Sequence, residues 1–380
     1  SGRTLAALLL VLEVGILGTF LAFDLVLFFV FFEVVLLPMY AVIAGWGGPD
    51  RRRAARKFVL YTLFGSVLLL VGLLVVVTGA GTADIVRLTA GSELAANTQR
   101  VAFVLLAVGF AVKSPLWPLH TWLPDAHTQA PTVGSVILAG VLLKMGTYGL
   151  LRIGVGVVPE GARWASPVLA ALAVAAILVG GLVCLAQTEL KRLIAYSSVG
   201  HMGFVLLGIA TLTATGFQAA LIGNLAHGVI TGLLFFLAGA IKDRAHTGDL
   251  GQLGGLRETA PGLAGLLGFA AIASLGLPGL AGFWGEAFAV VAAVERGWTL
   301  AAVLAALGGA LAAAYFLRLL RRATHGRAAP AVVGLTGLAR FELATWAPLV
   351  LLAIALGLVP ALALTPAAAP VRGLTAVLDA

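Results

Sequence analysis

Four ionisable side chains in this sequence stand where apolar residues surround them. Glu33 sits in Phe28-Phe-Val-Phe-Phe-Glu33-Val-Val-Leu-Leu-Pro38, and Lys113 opens Lys113-Ser-Pro115-Leu-Trp-Pro118. Lys144 sits in Ala139-Gly-Val-Leu-Leu-Lys144-Met-Gly-Thr-Tyr148, and Glu286 ends Gly282-Phe-Trp-Gly-Glu286. Two acids and two bases can form a line for one proton, because a buried lysine near a carboxylate swings between charged and neutral forms. Opposite charges about 8 Å apart at an effective dielectric near 20 interact by roughly 2 kcal/mol, about 1.5 units of pKa. Separating Glu33 from Lys113 is therefore expected to push the lysine's proton on to Lys144, with Glu286 as the acceptor on the exit side. The plainer alternative is a set of fixed ion pairs holding helices together.

Histidines extend the line. His120 follows the Lys113 motif, His201 lies in Ser197-Ser-Val-Gly-His201-Met-Gly203, and His227 lies in Asn224-Leu-Ala-His227-Gly228. An imidazole titrates near neutrality and passes a proton between waters. Each alone reads as a hydrogen-bonded core histidine; between Lys144 and Glu286, His201 and His227 together read as relay groups. Glu13 lies mid-span and suits either an uptake path or contact with a partner helix. Asp24, Asp125 and His127 fall near segment ends, where capping or water contact explains them. Lys191-Arg192 reads as a topology anchor. His120 and His127 are seven apart around Pro124 and do not face one metal together, so no metal site is expected.

These groups need a membrane around them. The chain has 380 residues, 61% hydrophobic and 11% charged, with mean hydropathy +1.08, whereas soluble domains run near 45–50% apolar and about 25% charged. Apolar runs of about 20 residues, each long enough for a helix to cross a hydrocarbon core of roughly 30 Å, fall near 4–22, 25–45, 56–78, 101–123, 132–152, 167–187, 192–212, 217–241, 262–294, 298–320 and 343–364. The fold expected is therefore an all-α, polytopic bundle of about eleven spans. Lys113-Ser-Pro115 breaks the fourth span and Gly276-Leu-Pro278-Gly279 the ninth; proline removes a donor and frees carbonyls that need protein or water nearby.

The net charge of +8 comes from basic residues in short loops, not from an aromatic-basic face, so nucleic acid is not expected. With the Arg51-Arg52-Arg53-Ala-Ala-Arg56-Lys57 loop cytoplasmic, sixteen of the 24 Lys and Arg fall on that side and six on the other. Only Lys113 and Lys144 remain within the membrane. That bias supports the span count of a multi-pass protein, with its start cytoplasmic and its C-terminus outside; the alanine-, glycine- and arginine-heavy composition points to a bacterial plasma membrane. The spans within 4–152 and 167–320 form two units of five, each with a broken fourth member, followed by a last helix at 343–364. An odd unit repeated in tandem enters the membrane in opposite senses, which is the inverted repeat of transporters. The lone Cys184 excludes an internal disulfide and a cysteine-ligated cluster. No phosphate loop, dinucleotide fingerprint or zinc motif appears, so no cofactor is expected in this chain.

The stretch from Val112 through Lys113-Ser-Pro-Leu-Trp-Pro-Leu-His120-Thr-Trp-Leu-Pro-Asp-Ala-His127-Thr-Gln-Ala-Pro-Thr-Val-Gly-Ser135, continuing to Lys144, resembles the core of the antiporter-like subunits of respiratory complex I. Glu33-Val-Val-Leu-Leu-Pro-Met-Tyr40, Leu190-Lys-Arg-Leu-Ile-Ala-Tyr-Ser-Ser-Val-Gly-His-Met-Gly203 and Gly276-Leu-Pro-Gly-Leu-Ala-Gly-Phe-Trp-Gly-Glu286 extend the resemblance over nearly the whole chain. Glutamate at the last position is similar to the M type, whereas the L and N types usually place lysine there. The resemblance implies Glu33 paired with Lys113, Lys144 as the connecting site and Glu286 as the terminal site, with L-type and N-type subunits as partners. It also implies a role within an NADH:quinone oxidoreductase that couples proton movement to quinone reduction in another chain.

Family members usually have fourteen spans, of which these resemble the fourth to fourteenth, so about three N-terminal helices are expected to be missing. The stretch His325–Leu338 reads poorly as a loop. The nearest rivals are the D-type subunit of a Mrp-style cation/proton antiporter and the membrane subunit of an energy-converting hydrogenase. A structural scaffold with fixed charge pairs is a rival of another class.

Overall fold

In lipid each backbone N–H and C=O must find its partner within the chain, so the apolar runs fold as helices. The computed structural model describes residues 2–91 and 94–379. In order, its main helices are α1 (Gly2–Leu21), α2 (Leu25–Trp46), α3 (Arg51–Ala80), α4 (Ala96–Lys113), α5 (Trp122–Gln129), α6 (Thr132–Val155) and α7 (Pro159–Ala186). Then come α8 (Leu190–Thr211), α9 (Ala214–Ala245), α10 (Pro261–Ser274), α11 (Ala281–Glu295), α12 (Thr299–Thr324), α13 (Arg340–Leu358) and α14 (Ala361–Asp379). Among the described residues ten helices are long and apolar enough to cross a membrane. The pairs α4/α5 and α10/α11 make two interrupted crossings at the two expected breaks. The chain is thus an all-α, multi-pass membrane protein.

The last expected span is corrected. Pro360, which lacks an N–H, ends α13 at Leu358, and the chain continues as α14 despite Pro366 and Pro370 within it. This helix runs along the outside of the bundle: Ala363 and Pro366 share a groove with Asn224 of α9, and the Leu378 carbonyl accepts from Arg163 of α7. The 325–338 stretch is a hydrogen-bonded connector. The Ala329 N–H donates to the Gly254 carbonyl at 2.8 Å and the Gly255 N–H to the His325 carbonyl at 3.0 Å.

Helix starts are set by short acidic caps. The Asp24 carboxylate accepts from the N–H groups of Val26 (2.8 Å) and Leu27 (3.0 Å), as a cap should. Asp84 does the same for the short helix Ile85–Ala90, and Glu189 accepts from Arg192 N at 2.6 Å at the start of α8. Two isolated antiparallel bridges pair Asp24 with Asp84 and Glu189 with Asp249. Both partners of the second bridge follow those of the first by the same number of residues.

The most enclosed helix is α8, with 83% of its apolar window buried. It packs against α7 on one side and α9 on another, while α9 also packs against α11. Two apolar clusters fill the interior, one drawn mainly from α1 to α9 with parts of α11, α12 and α14, the other from parts of α6 and α7 through α8 to α13. Helix α6 is one of several that contribute to both: Leu138 and Leu142 join the first and Ala139 the second. Lys144 projects from this helix.

Candidate functional site

The first break ends α4 at Lys113, so the ammonium meets a helix C-terminus whose partial charge favours a cation. The carbonyls freed there are used: Trp122 Nε1 donates to Val112 O at 3.0 Å. Lys113 is 4% exposed; its Nζ lies 3.5 Å from the Phe32 carbonyl and 4.5 Å from the centre of the Phe32 ring. Glu33, one residue on, accepts instead from the Ser66 hydroxyl of α3. Glu33 is thus one residue from the Phe32 carbonyl that Lys113 approaches, and each of the two charged groups has a neutral partner as well.

Lys144 lies between two π-helical segments, Leu138–Leu142 and Leu150–Val155. A π-turn leaves a carbonyl poorly used by the helix, and Lys144 Nζ donates to one of these, Ala139 O. The same ammonium lies 2.6 Å from His227 Nδ1 on α9. The helices come this close because glycine faces glycine: a Cβ at Gly228 would lie 2.8 Å from the Gly140 carbonyl oxygen.

From His227 the polar groups continue. The His227 and His201 ring centres are 5.9 Å apart, and both rings line a small cavity with Ser274 and Glu286. Its free space of about 30 Å³ exceeds the roughly 10–15 Å³ needed to admit a water centre. His201 Nδ1 lies 2.9 Å from Glu286 Oε1, and its Nε2 lies 3.1 Å from Ser274 Oγ. With Lys144 charged, His227 Nδ1 accepts and the ring proton sits on Nε2, which has no partner among the described residues. The second break seats Glu286: Gly276 (φ +80°) and Gly279 (φ +93°) take the left-handed turn, and a Cβ at Gly276 would come within 2.9 Å of Glu286 Oε2.

The structure thus brings Lys144, His227, His201 and Glu286 into one line; Lys113 lies on the neighbouring helix, where the adjacent Ser114 hydroxyl donates to the Leu143 carbonyl beside Lys144 at 3.4 Å. It does not join His120 to that line by a hydrogen bond. His120 is buried, its Nδ1 is without a partner among the described residues, and its ring stands 6.0 Å from that of Tyr196.

Two readings near the Arg51–Lys57 end, those of Asp125 and His127, are corrected. Asp125 neither caps nor merely meets water, but pairs with Lys57 at 2.7 Å and Arg192 at 3.1 Å, because α3, α5 and α8 converge there. Lys191, expected as a topology anchor, is 5% exposed and donates to Ala130 O at 3.2 Å. His127 is fully buried, stacked on Phe235 at 4.3 Å, with neither ring nitrogen partnered among the described residues. Just before α8, outside the spans, burial pushes the Glu189 carboxyl above its ordinary range, against the pull of the Arg192 N–H and the Lys242 charge. Ser66 and Ser274 also escaped the sequence reading; a lone hydroxyl in an apolar helix carries little signal until its partner is known.

Residues 22–312, which hold every member of this line, match the family described as NADH:quinone oxidoreductase/Mrp antiporter, TM. The chain belongs to that family. Among its relatives, NADH-quinone oxidoreductase subunit M of Rhodobacter capsulatus is 43% identical over 366 residues, covering 93% of this chain and 71% of that one. Among solved structures, a chain of respiratory complex I from Thermus thermophilus with bound NADH superposes with a TM-score of 0.93 at 33% identity, over 99% of this chain and 81% of that one. A chain of the Mrp complex from Dietzia sp. DQ12-45-1b gives 0.83 at 26% identity, over 98% and 77%. Both are multi-subunit membrane assemblies, and family resemblance is stronger on the respiratory side.

Proposed function

We propose that this chain is a proton-translocating, M-type antiporter-like subunit of an NADH:quinone oxidoreductase. The observation that carries the reading is the contact line from Lys144 through His227 and His201 to Glu286, in a fold that superposes on a complex I chain with a TM-score of 0.93. A charge change beside Glu33 alters the hold of Lys113 on its proton, and Lys144 takes the proton up. The Lys144 ammonium then donates to His227 Nδ1, and His227 releases its Nε2 proton toward the cavity. His201 receives on Nε2 and gives its Nδ1 proton to Glu286, so each imidazole takes a proton on one nitrogen and loses one from the other. Two imidazoles with water-sized space between them suit this hand-over better than they suit a static pair. His120 belongs to the uptake half, nearer the basic face.

Proton transfer needs no cofactor held by this chain, and the nicotinamide and quinone chemistry belongs to other subunits. L-type and N-type subunits are the proposed neighbours. The Arg51–Lys57 face is cytoplasmic, the membrane is a bacterial plasma membrane, and the C-terminus lies outside. The matched bridges Asp24/Asp84 and Glu189/Asp249 support two inverted units, 4–152 and 167–320.

The test is Lys113→Ala in the assembled complex, with NADH-driven proton pumping and quinone reduction measured beside native-gel assembly. Loss of both activities with intact assembly is expected. Full pumping would refute the relay, and failed assembly would favour the scaffold.

A further inference from the structure

A hydroxyl buried in an apolar helix ordinarily donates to the carbonyl four residues back, which satisfies both groups within the helix. Two of the three Ser and Thr side chains of α3 do so: Thr62 donates to Phe58 O and Thr78 to Leu74 O, each at 2.7 Å. The third, Ser66, is buried and donates across to Glu33 Oε1 on α2. Packing brings Ser66 and Lys113 to the same place. Helices α3 and α4 meet where a Cβ at Gly109 would lie 2.8 Å from Gly65 O and a Cβ at Gly65 would lie 2.9 Å from Val112 Cβ. Ser66 follows Gly65 and Lys113 follows Val112. Lys113 Nζ lies 3.5 Å from the carbonyl of Phe32, the residue before Glu33, and feels the Glu33 charge. The backbone there is loose as well: Pro38 offers no N–H to the Val34 carbonyl, and the regular run of α2 is interrupted at Val35.

The two holds on the carboxylate are closely matched. Moving a carboxylate from about 8 Å to about 4 Å from an ammonium, at an effective dielectric near 20, favours the nearer position roughly thirtyfold. A hydrogen bond to a charged acceptor is worth roughly ten- to a hundredfold. We propose that Ser66 is the positioning residue for Glu33: its hydroxyl competes with the Lys113 ammonium for the carboxylate, and so sets how much of the time the acid and the base are apart. The proposal rests on the reading of Glu33 and Lys113 as proton-transfer groups. A fixed ion pair has no use for the hydroxyl. A pair that must part in each cycle leaves a carboxylate without its cation in a dry interior, which is costly unless another donor receives it.

The experiment compares Ser66→Ala and Ser66→Thr in the assembled complex, by electron cryo-microscopy of the purified enzyme and by NADH-driven acidification of vesicles. In Ser66→Ala the Glu33 carboxylate is expected to move within about 4 Å of Lys113 Nζ, and the initial pumping rate to fall about tenfold, the lower end of what a hydrogen bond to a charged group is worth. Ser66→Thr keeps a hydroxyl and is expected to hold the carboxylate beside position 66 and to pump near the unsubstituted rate. An unmoved carboxylate or an unchanged rate in Ser66→Ala would overturn the proposal. So would equal losses in the two variants, since that pattern belongs to packing alone. The carboxylate's position is read from the map whether or not this chain moves protons, so the proposal fails separately from the functional reading, which Lys113→Ala tests.

Discussion

At the scale of single residues, the deciding property is whether a group can give up its proton. Arginine keeps a lysine's charge but does not deprotonate in a protein. A fixed ion pair tolerates the exchange, whereas a relay does not. Lys144→Arg is therefore expected to leave the complex assembled and lower proton pumping at least tenfold, read as the initial rate of acidification in vesicles. Pumping near the unsubstituted rate would favour the scaffold. His201→Gln is expected to behave alike, because glutamine can hold the Ser274 and Glu286 contacts but cannot carry a proton through a ring. Glu33, Lys113, Lys144, His201, His227 and Glu286 were legible because each interrupts an apolar run. His127, Lys191 and Asp125 were not, because in one dimension they stand at the ends of runs. Only the convergence of α3, α5 and α8 shows that His127 and Lys191 are buried and that Asp125 is paired with two cations.

At the scale of helices, alignment depends on places where backbones touch or turn. A methyl at Gly228 meets the Gly140 carbonyl at 2.8 Å, and a backbone atom cannot swing away as a side-chain tip can. Gly228→Ala is expected to push α9 off α6, stretch the 2.6 Å contact between His227 and Lys144 and slow pumping several-fold. The thermal midpoint of the complex should fall only slightly, and an unchanged pumping rate would show that the contact is not limiting. Gly276→Ala places an L residue at φ +80°, a strain of roughly 1–2 kcal/mol, with its methyl against Glu286 Oε2. Activity is expected to fall further there than with the Gly228 variant, in the same vesicle assay. Both breaks were legible from proline and glycine. The π segments around Lys144 were not, since an extra residue in a turn leaves no mark on composition. Helix α14 was missed because Pro366 and Pro370 argue locally against a helix.

At the scale of the whole molecule, the proposed proton line runs over α6, α9, α8 and α11, each of which contributes to both apolar clusters. Hand-over of a proton along such a line requires those helices to hold still relative to one another. Part of that rigidity comes from the connector before α13. Arg244 of α9 donates to the Thr336 carbonyl at 3.1 Å, the Gly337 carbonyl at 3.3 Å and Glu342 Oε2 at 2.7 Å. Glu342 in turn accepts from the Ala339 N–H at 2.9 Å. Side-chain exposures of 17% and 10% keep this pair largely out of water, so it is not the weak surface kind. Arg244→Ala leaves Glu342 without its cation and is expected to cost about 1.5–3 kcal/mol, the range for hydrogen bonds to charged groups. The damage belongs to packing, not to proton transfer. The expected signature is faster proteolysis within 325–339 and a lower thermal midpoint, while pumping per assembled complex stays near normal. If pumping per complex instead falls in step with Lys144→Arg, the connector takes part in the proton route, and the division between a rigid frame and a titrating line is wrong.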